Sequence, residues 1–203
     1  HKVKKIIYAS SSSVYGDSVN FPLNEKQKIK PKNIYALSKK INEEMADIFS
    51  SQFNISLIGL RFFTVYGEWG RPDMFMMKYL SSSYNSSKIF YLNNFGNHTR
   101  DFTYIEDVCK TIERIIFLRK KISHDVFNIC SNNPIKLFKI INKINKLTQK
   151  KPKLFKRSLQ KADVIKTHGS NKKIISLIGK NKFTSIDIGL KKTVDWFKQY
   201  YKH

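Results

Sequence analysis

A helical pattern that runs straight into an almost unbroken apolar stretch constrains this chain more than any other feature. From Ile34 to Phe53 apolar residues recur at Ile34, Leu37, Ile41, Met45, Ile48 and Phe49, the three-and-four spacing that lines one face of an α-helix. Ile55 to Phe63 then follows, apolar almost throughout. A strand with no polar face must be covered on both sides, as strands are in a parallel sheet flanked by helices. Lys4–Ser10 repeats the theme with Ile6-Ile7-Tyr8-Ala9 ahead of a run of serines.

The rest of the chain continues the alternation. Pro72 to about Ser83 reads as a helix with Pro72 at its first position. Ile89–Leu92 reads as a short strand closed by a hairpin-like turn over Asn93-Asn94-Phe95-Gly96-Asn97. Tyr104–Leu118 is expected to be helical, Asp125–Ile129 a strand and Pro134–Leu147 a helix. Lys150-Lys151-Pro152 breaks the pattern. The chain is then mostly polar until Ser185 opens a last helix, with Leu190, Val194, Phe197 and Tyr201 along one face. Strands and helices alternating at this length imply an α/β protein.

Composition sets limits. An apolar fraction of 41% supports a packed core and excludes a disordered tail. No apolar run approaches the roughly 20 residues that span a bilayer, and His1–Tyr15 lacks the pattern of an export signal, so a cytoplasmic protein with no membrane partner is expected. Cys109 and Cys130 have no CxxC spacing and are expected to be a reduced, buried pair. The five histidines form no HxxxH or HExxH pattern, so no metal site is expected. The net charge is +23, but only six of the 38 basic residues are arginine. Phosphate-reading surfaces favour arginine forks, and these lysines are spread along the chain. A solvated surface is expected rather than a nucleic-acid partner, although such a field still attracts an anionic substrate.

Chemistry concentrates in two places. Tyr35-Ala36-Leu37-Ser38-Lys39 puts a phenol and an ammonium on one helix face. A neighbouring cation favours the phenolate form, which makes a usable base near neutral pH; by itself the pair is a weak signal, because tyrosine and lysine are common in this chain and a solvated helix face presents the same spacing. Upstream, the strand ending at Ser10 runs into Ser10-Ser11-Ser12-Ser13-Val14-Tyr15-Gly16. A hydroxyl at the carboxyl end of a parallel strand lies where α/β sheets bind ligands.

Four segments, Tyr8–Gly16, Tyr35–Lys39, Leu60-Arg61-Phe62-Phe63-Thr64-Val65-Tyr66-Gly67 and Arg100-Asp101-Phe102-Thr103-Tyr104-Ile105, follow in the order and spacing of the extended short-chain dehydrogenases/reductases that epimerise nucleotide sugars. The chain resembles that family from about Val3 to Tyr201, most of all its UDP-glucuronate 4-epimerase branch, through Gly67-Glu68-Trp69-Gly70-Arg71-Pro72-Asp73-Met74. The resemblance implies an NAD-dependent reaction in which a UDP-sugar is oxidised at C4, turned as the 4-keto sugar and reduced on the other face. It implies Tyr35 as the base, Lys39 as its tuner, and Ser11 as the proton-relay hydroxyl. Tyr35, Lys39, Ser10 and Phe62 would contact NAD. Ser11, Ser12, Ser13, Thr64, Arg71, Arg100 and Asp163 would contact the substrate, Arg100 at the diphosphate and Asp163 at the uridine ribose. A homodimer is implied for the full-length protein. Residue chemistry leaves alternatives: Arg61 as a structural residue, Arg71 paired with Asp73 or Glu68, Arg100 paired with Asp101 or Glu106.

Related dehydratases resemble Thr-Asp-Glu at the serine loop, and decarboxylases carry a glutamate just before Val-Tyr-Gly. Here Ser12 and Ser13 stand in those places, which fits epimerisation. Three positions depart from the branch: Glu68 replaces a proline, Asn93 an aromatic near the uracil pocket, and Lys161-Ala162 a Pro-Gly pair. None of the eight glycines forms GxxGxxG, so the chain is expected to correspond to the C-terminal two-thirds of an epimerase, a fragment or a truncated gene. Another UDP-sugar 4-epimerase, of the UDP-glucose/UDP-galactose type, is one alternative, and a catalytically dead binding remnant is the alternative from another class. The expected fold is the C-terminal part of a Rossmann-type doubly wound parallel sheet with a small α/β substrate-binding subdomain. Residues 1–150 would carry the Rossmann part with substrate-binding segments interleaved at about 70–100, and 151–203 the C-terminal subdomain and final helix.

Overall fold

The structure, a computed structural model, describes residues 3–161, 163–179 and 181–202. Its first sheet is parallel throughout. Strand β1 (Lys5–Ser11) pairs with β2 (Ser56–Phe62), which pairs with β6 (His124–Ile129). Register places Ser11 opposite Phe62 and Phe62 opposite Ile129, so the three carboxyl ends come together. Between β1 and β2 runs α1 (Ile34–Phe53), with the limits expected from its pattern. Asn33 starts it by accepting a hydrogen bond from the Ala36 amide at 2.8 Å, and Asn54 ends it in the left-handed conformation.

The face of α1 that packs inward is the reverse of the expected one. Ala36, Glu43, Ala46 and Ser50 are buried, whereas Ile34, Leu37, Ile41, Met45, Ile48 and Phe49 are all exposed. Both sets recur at helical intervals. The small residues let the helix approach the sheet closely, and the buried Glu43 is satisfied by Arg61 and Ser10. Hydrophobic spacing alone cannot choose between two faces of one period when the polar one carries a buried ion pair.

A second core gathers the remaining elements. The short β3 (Thr64–Tyr66) pairs in parallel with β5 (Thr99–Tyr104), and β5 pairs antiparallel with β7 (Pro134–Lys136). Strand β4 (Ile89–Leu92) pairs in parallel with β8 (Lys153–Lys156). Around them pack α2 (Phe75–Tyr84), α4 (Leu137–Thr148) and α6 (Ile186–Tyr200), through Tyr79, Leu80, Ile140, Ile144, Leu190 and Val194. Each such side chain contributes about 1.5–3 kcal/mol when fully buried. Helices α3 (Ile105–Ile116) and α5 (Lys172–Ile178) cover the first sheet instead, through Val108, Ile115 and Ile174. The expected division at residue 150 is therefore crossed three times: β8, α5 and α6 each join elements from before it.

Several local expectations change. β5 is a strand although it carries Arg100, Asp101 and Thr103, because it runs through the centre of polar contacts described below. Asn94 and Phe95 take left-handed conformations, but the chain does not fold back as a hairpin; β4 takes its partner from β8. Pro72 lies ahead of α2, whose N-cap is Met74. Tyr104 ends β5 rather than starting a helix, and Pro134–Lys136 form β7 before α4 begins. β8 and α5 occupy a stretch read as mostly polar. Cys130 is buried but Cys109 is exposed, and both are free. No helix among the described residues is long and apolar enough to cross a membrane.

Candidate active site

The carboxyl end of β1 carries the serines. Ser11 is buried and caps a 3-10 turn over Ser12–Tyr15: its hydroxyl accepts from the Ser13 amide and donates to the Ser13 hydroxyl, both at 3.1 Å. Ser12 and Ser13 are half-buried. Gly16 closes the turn with φ at 64°, and a Cβ there would lie 1.9 Å from the Lys30 carbonyl oxygen, so only glycine fits.

Helix α1 brings Tyr35 and Lys39 to this end of the sheet. Lys39 Nζ donates to the Ala9 carbonyl at 2.9 Å and lies 5.8 Å from the Tyr35 ring centroid. One of the three ammonium donors is thus fixed on β1 and two remain. Tyr35 is 53% exposed, so its phenol is open to a ligand.

Two turns further along α1, Glu43 is the centre of a buried polar network. Ser10 Oγ donates to Glu43 Oε1 at 2.5 Å. Arg61 makes a fork onto the same carboxylate, Nε to Oε1 at 2.8 Å and Nη2 to Oε2 at 2.7 Å. Arg61 Nη1 also donates to the Tyr15 phenol at 2.9 Å, which in turn donates to Asn128 at 2.7 Å. Burial works against the Arg61 charge, but the Glu43 and Tyr15 interactions more than offset it. Burial, partly countered by Arg61, pushes the Tyr15 phenol up to about 12, so it stays protonated. Arg61 is accordingly a structural residue. Ser10 is 2% exposed with its hydroxyl on Glu43, so as placed it offers no hydroxyl to a cofactor. Phe62 is half-buried and packs against the first core.

A cavity of about 730 Å³ opens beyond β3. Thr64, Arg100 and Asp163 line it, as does Asp73. Arg100 pairs with neither Asp101 nor Glu106. Its Nη1 donates to the Thr99 and Ile165 carbonyls at 3.1 and 2.9 Å, which aims the guanidinium from the backbone. Burial lowers its pKa, with Asp163 acting in the opposite sense. Asn93, in place of an aromatic, donates to Asp163 at 3.4 Å. Asp101 is instead wholly buried and holds the Ser131 hydroxyl and the Gly169 amide.

Arg71 lies outside this cavity. It makes a two-point ion pair with Asp73 at 3.0 and 2.6 Å, with the Arg71 side chain 73% exposed. Asp73 is the main cause of its raised pKa, and Tyr35 contributes least. The preceding loop is pinned on both sides. Tyr104 donates to both Glu68 oxygens at 2.7 and 2.8 Å, and Trp69 packs on Trp196 and Tyr200 of α6. Glu68, unusual for the sequence pattern, thus has a partner.

Sequence reasoning missed other cavity-lining residues, Lys78, His98, Gln160 and Arg157 among them. Arg157 lies 3.5 Å over the Tyr91 ring; its scarcity as an arginine among so many lysines was the available signal. Tyr35 and Lys39 offer a phenol and an ammonium suited to moving a proton on and off an alcohol, whereas the cavity bears arginines for an anion; of the expected site residues Thr64, Arg100 and Asp163 line it, and Ser11, Tyr35 and Lys39 do not.

A family model described as the NAD dependent epimerase/dehydratase family matches residues 1–130. The uncharacterized protein MJ1055 of Methanocaldococcus jannaschii is 40% identical over 196 residues, covering 96% of this chain and 59% of its own length. UDP-glucuronate 4-epimerase 2 of Arabidopsis thaliana is 34% identical over 212 residues, covering 97% of this chain and 49% of its own. Among solved structures, the UDP-glucuronic acid 4-epimerase of Bacillus cereus in complex with UDP-glucuronic acid and NAD superposes with a TM-score of 0.91 at 28% identity, over 99% of this chain and 63% of that one. The chain thus spans between about half and two thirds of the length of these relatives.

Proposed function

Because the chain belongs to the NAD dependent epimerase/dehydratase family, we propose that it is the catalytic and substrate-binding part of an NAD-dependent UDP-sugar 4-epimerase that interconverts UDP-glucuronate and UDP-galacturonate. The observation that carries this reading is that Lys39 of the Tyr35–Lys39 pair is bonded to Ala9 on β1, the strand whose end carries the Ser11 turn, in a chain whose cavity bears Thr64, Arg100 and Asp163.

The nicotinamide half of NAD fits this end of the sheet: Lys39 keeps two free donors for a ribose diol and Tyr35 is open. When bound, NAD takes a hydride from C4 of the sugar and returns it. Tyr35 accepts the C4 hydroxyl proton as the ketone forms and gives it back on reduction. Lys39 holds its charge 5.8 Å from the Tyr35 ring centroid, and its bond to the Ala9 carbonyl fixes where that charge sits. Ser11, on exchanging its bond to the Ser13 hydroxyl, offers its hydroxyl to the same substrate oxygen. Ser12 and Ser13 add hydroxyls and no carboxylate, so nothing at the turn is placed to take a second proton and drive elimination. Thr64 leads from β2 into the cavity, and Arg100, held by two backbone carbonyls, meets the diphosphate with a fork of donors. Asp163 accepts from the uridine ribose.

The preference for a hexuronate over a neutral hexose rests on Arg71. Arg71 lies outside the cavity but is paired with Asp73, which lines it, and the C6 carboxylate of the sugar is a group of the same shape and charge that can exchange with Asp73. In a protein of the relatives' full length carrying this chain, UDP-glucuronate is expected to be turned over in preference to UDP-glucose, and Arg71→Ala is expected to lose most of that preference. Steady-state kinetics on both substrates check this. Preference for UDP-glucose in the parent overturns the hexuronate reading; an unchanged preference in the variant overturns only the part given to Arg71.

A homodimer belongs to the same reading. The exposed row on α1, with Ile34 at 85% and Ile48 at 55%, is a contiguous apolar stripe of the kind that marks an interface, and a second copy of the helix would cover it. Changing Ile41 and Ile48 together to glutamate is expected to convert a dimer into a monomer without loss of fold, as read by sedimentation and circular dichroism. A parent that sediments as a monomer refutes it.

A further inference from the structure

His98 carries an unpaired ring nitrogen inside the cavity. It stands just before β5, is 7% exposed and lines the cavity wall, yet its Nε2 has no hydrogen-bond partner among the described residues. A buried polar atom left unpaired is unfavourable, and one that lines a cavity is open to pairing with a ligand group. Across from it is Asp163: Nε2 and Asp163 Oδ2 are 3.9 Å apart, too far for a hydrogen bond between them.

The structure assigns to His98, together with Asp163, the two hydroxyls of a ribose, so that His98 selects ribonucleotides over deoxyribonucleotides. The assignment rests on the cavity being the nucleotide-sugar site proposed above. Two acceptors at this separation match two adjacent O–H donors, one given to the imidazole nitrogen and the other to the carboxylate. No single ligand atom is needed to bridge them, and a deoxyribose lacks one of the two donors. The imidazole must be neutral for Nε2 to accept. Burial and the Arg100 charge hold its pKa below the usual value, with Asp163 acting against them. Asn93 donates to the same Oδ2 at 3.4 Å. Arg100 spends Nη1 on backbone carbonyls and keeps its other donors for phosphate, leaving the ribose to His98 and Asp163.

Calorimetric titration of the chain with UDP, 2′-deoxy-UDP and 3′-deoxy-UDP tests this. Each deoxy ligand is expected to bind about tenfold more weakly than UDP, since each leaves one buried acceptor unpaired. In His98→Ala, UDP is expected to weaken by about tenfold, and one of the two deoxy penalties is expected to vanish while the other, owed to Asp163, persists. His98→Gln, which restores an acceptor, is expected to recover part of the lost penalty. If UDP and both deoxy ligands bind the parent equally, or if both penalties survive unchanged in His98→Ala, the assignment is overturned while the cavity remains a nucleotide site. If the parent binds none of the three, the reading of the cavity as a nucleotide-sugar site falls and takes this one with it. The parent comparison needs no variant, so a failure of His98→Ala to fold leaves it decisive.

Discussion

Tyr35→Phe, in a protein of the relatives' full length carrying this chain, is expected to lower turnover by about 10²–10⁴, the usual contribution of a general base. The substitution removes one oxygen and keeps the ring, which is half exposed and has no core to disturb. Stability should hardly change, and binding of the UDP moiety should persist because the cavity residues Arg100 and Asp163 lie on β5 and beyond β8, away from α1. The measurement is a comparison of kcat with UDP affinity in the same preparation. Near-parental turnover by the variant would refute the role of Tyr35. Loss of UDP binding along with turnover would instead indicate a structural lesion.

The second large effect is on stability. Glu43→Gln is expected to destabilise the fold by about 3–5 kcal/mol, because it leaves the buried Arg61 guanidinium without its charge partner and weakens the acceptor for Ser10. For a chain of this size that corresponds to a fall in melting temperature of roughly 6–20 °C. The paired replacement Glu43→Leu with Arg61→Met removes both charges and is expected to recover most of the loss, since apolar groups of similar volume often replace a buried pair at little cost. Thermal melts of the three proteins decide it. If the single and double variants melt together, the ion pair is not what the helix needs. The pair nonetheless has a clear place in the architecture: it ties α1, which carries Tyr35 and Lys39, to the ends of β1 and β2 that carry Ser11 and Phe62.

How far the fold was legible depended on local signals. α1 was legible to the residue because Asn33 and Asn54 bracket a clean period, and β4 likewise because four residues alternate between turn-rich flanks. β5 was not, since Arg100, Asp101 and Thr103 give a strand of mixed polarity whose polar side chains find partners at Ser131, Gly169 and Ile165, all distant in sequence. β7, β8 and α5 are short, and each is held by a partner from another part of the chain. At the site, Tyr35, Lys39 and Ser11 were readable as a motif, whereas His98, Lys78 and Arg157 carry no motif and join the cavity only through the fold.

The alternation of helix and apolar strand, the limits of α1 and the Tyr35–Lys39 spacing follow from backbone period, capping and side-chain spacing within one element. Tertiary structure decided which face of α1 is inside, that Ser10 belongs to Glu43 and Arg71 to Asp73, and that Asp163 meets Asn93 and His98. Those are choices among partners with equal local claims. They are settled by which close approach leaves the fewest buried charges and hydrogen-bonding groups unpaired, a sum taken over residues far apart in the chain.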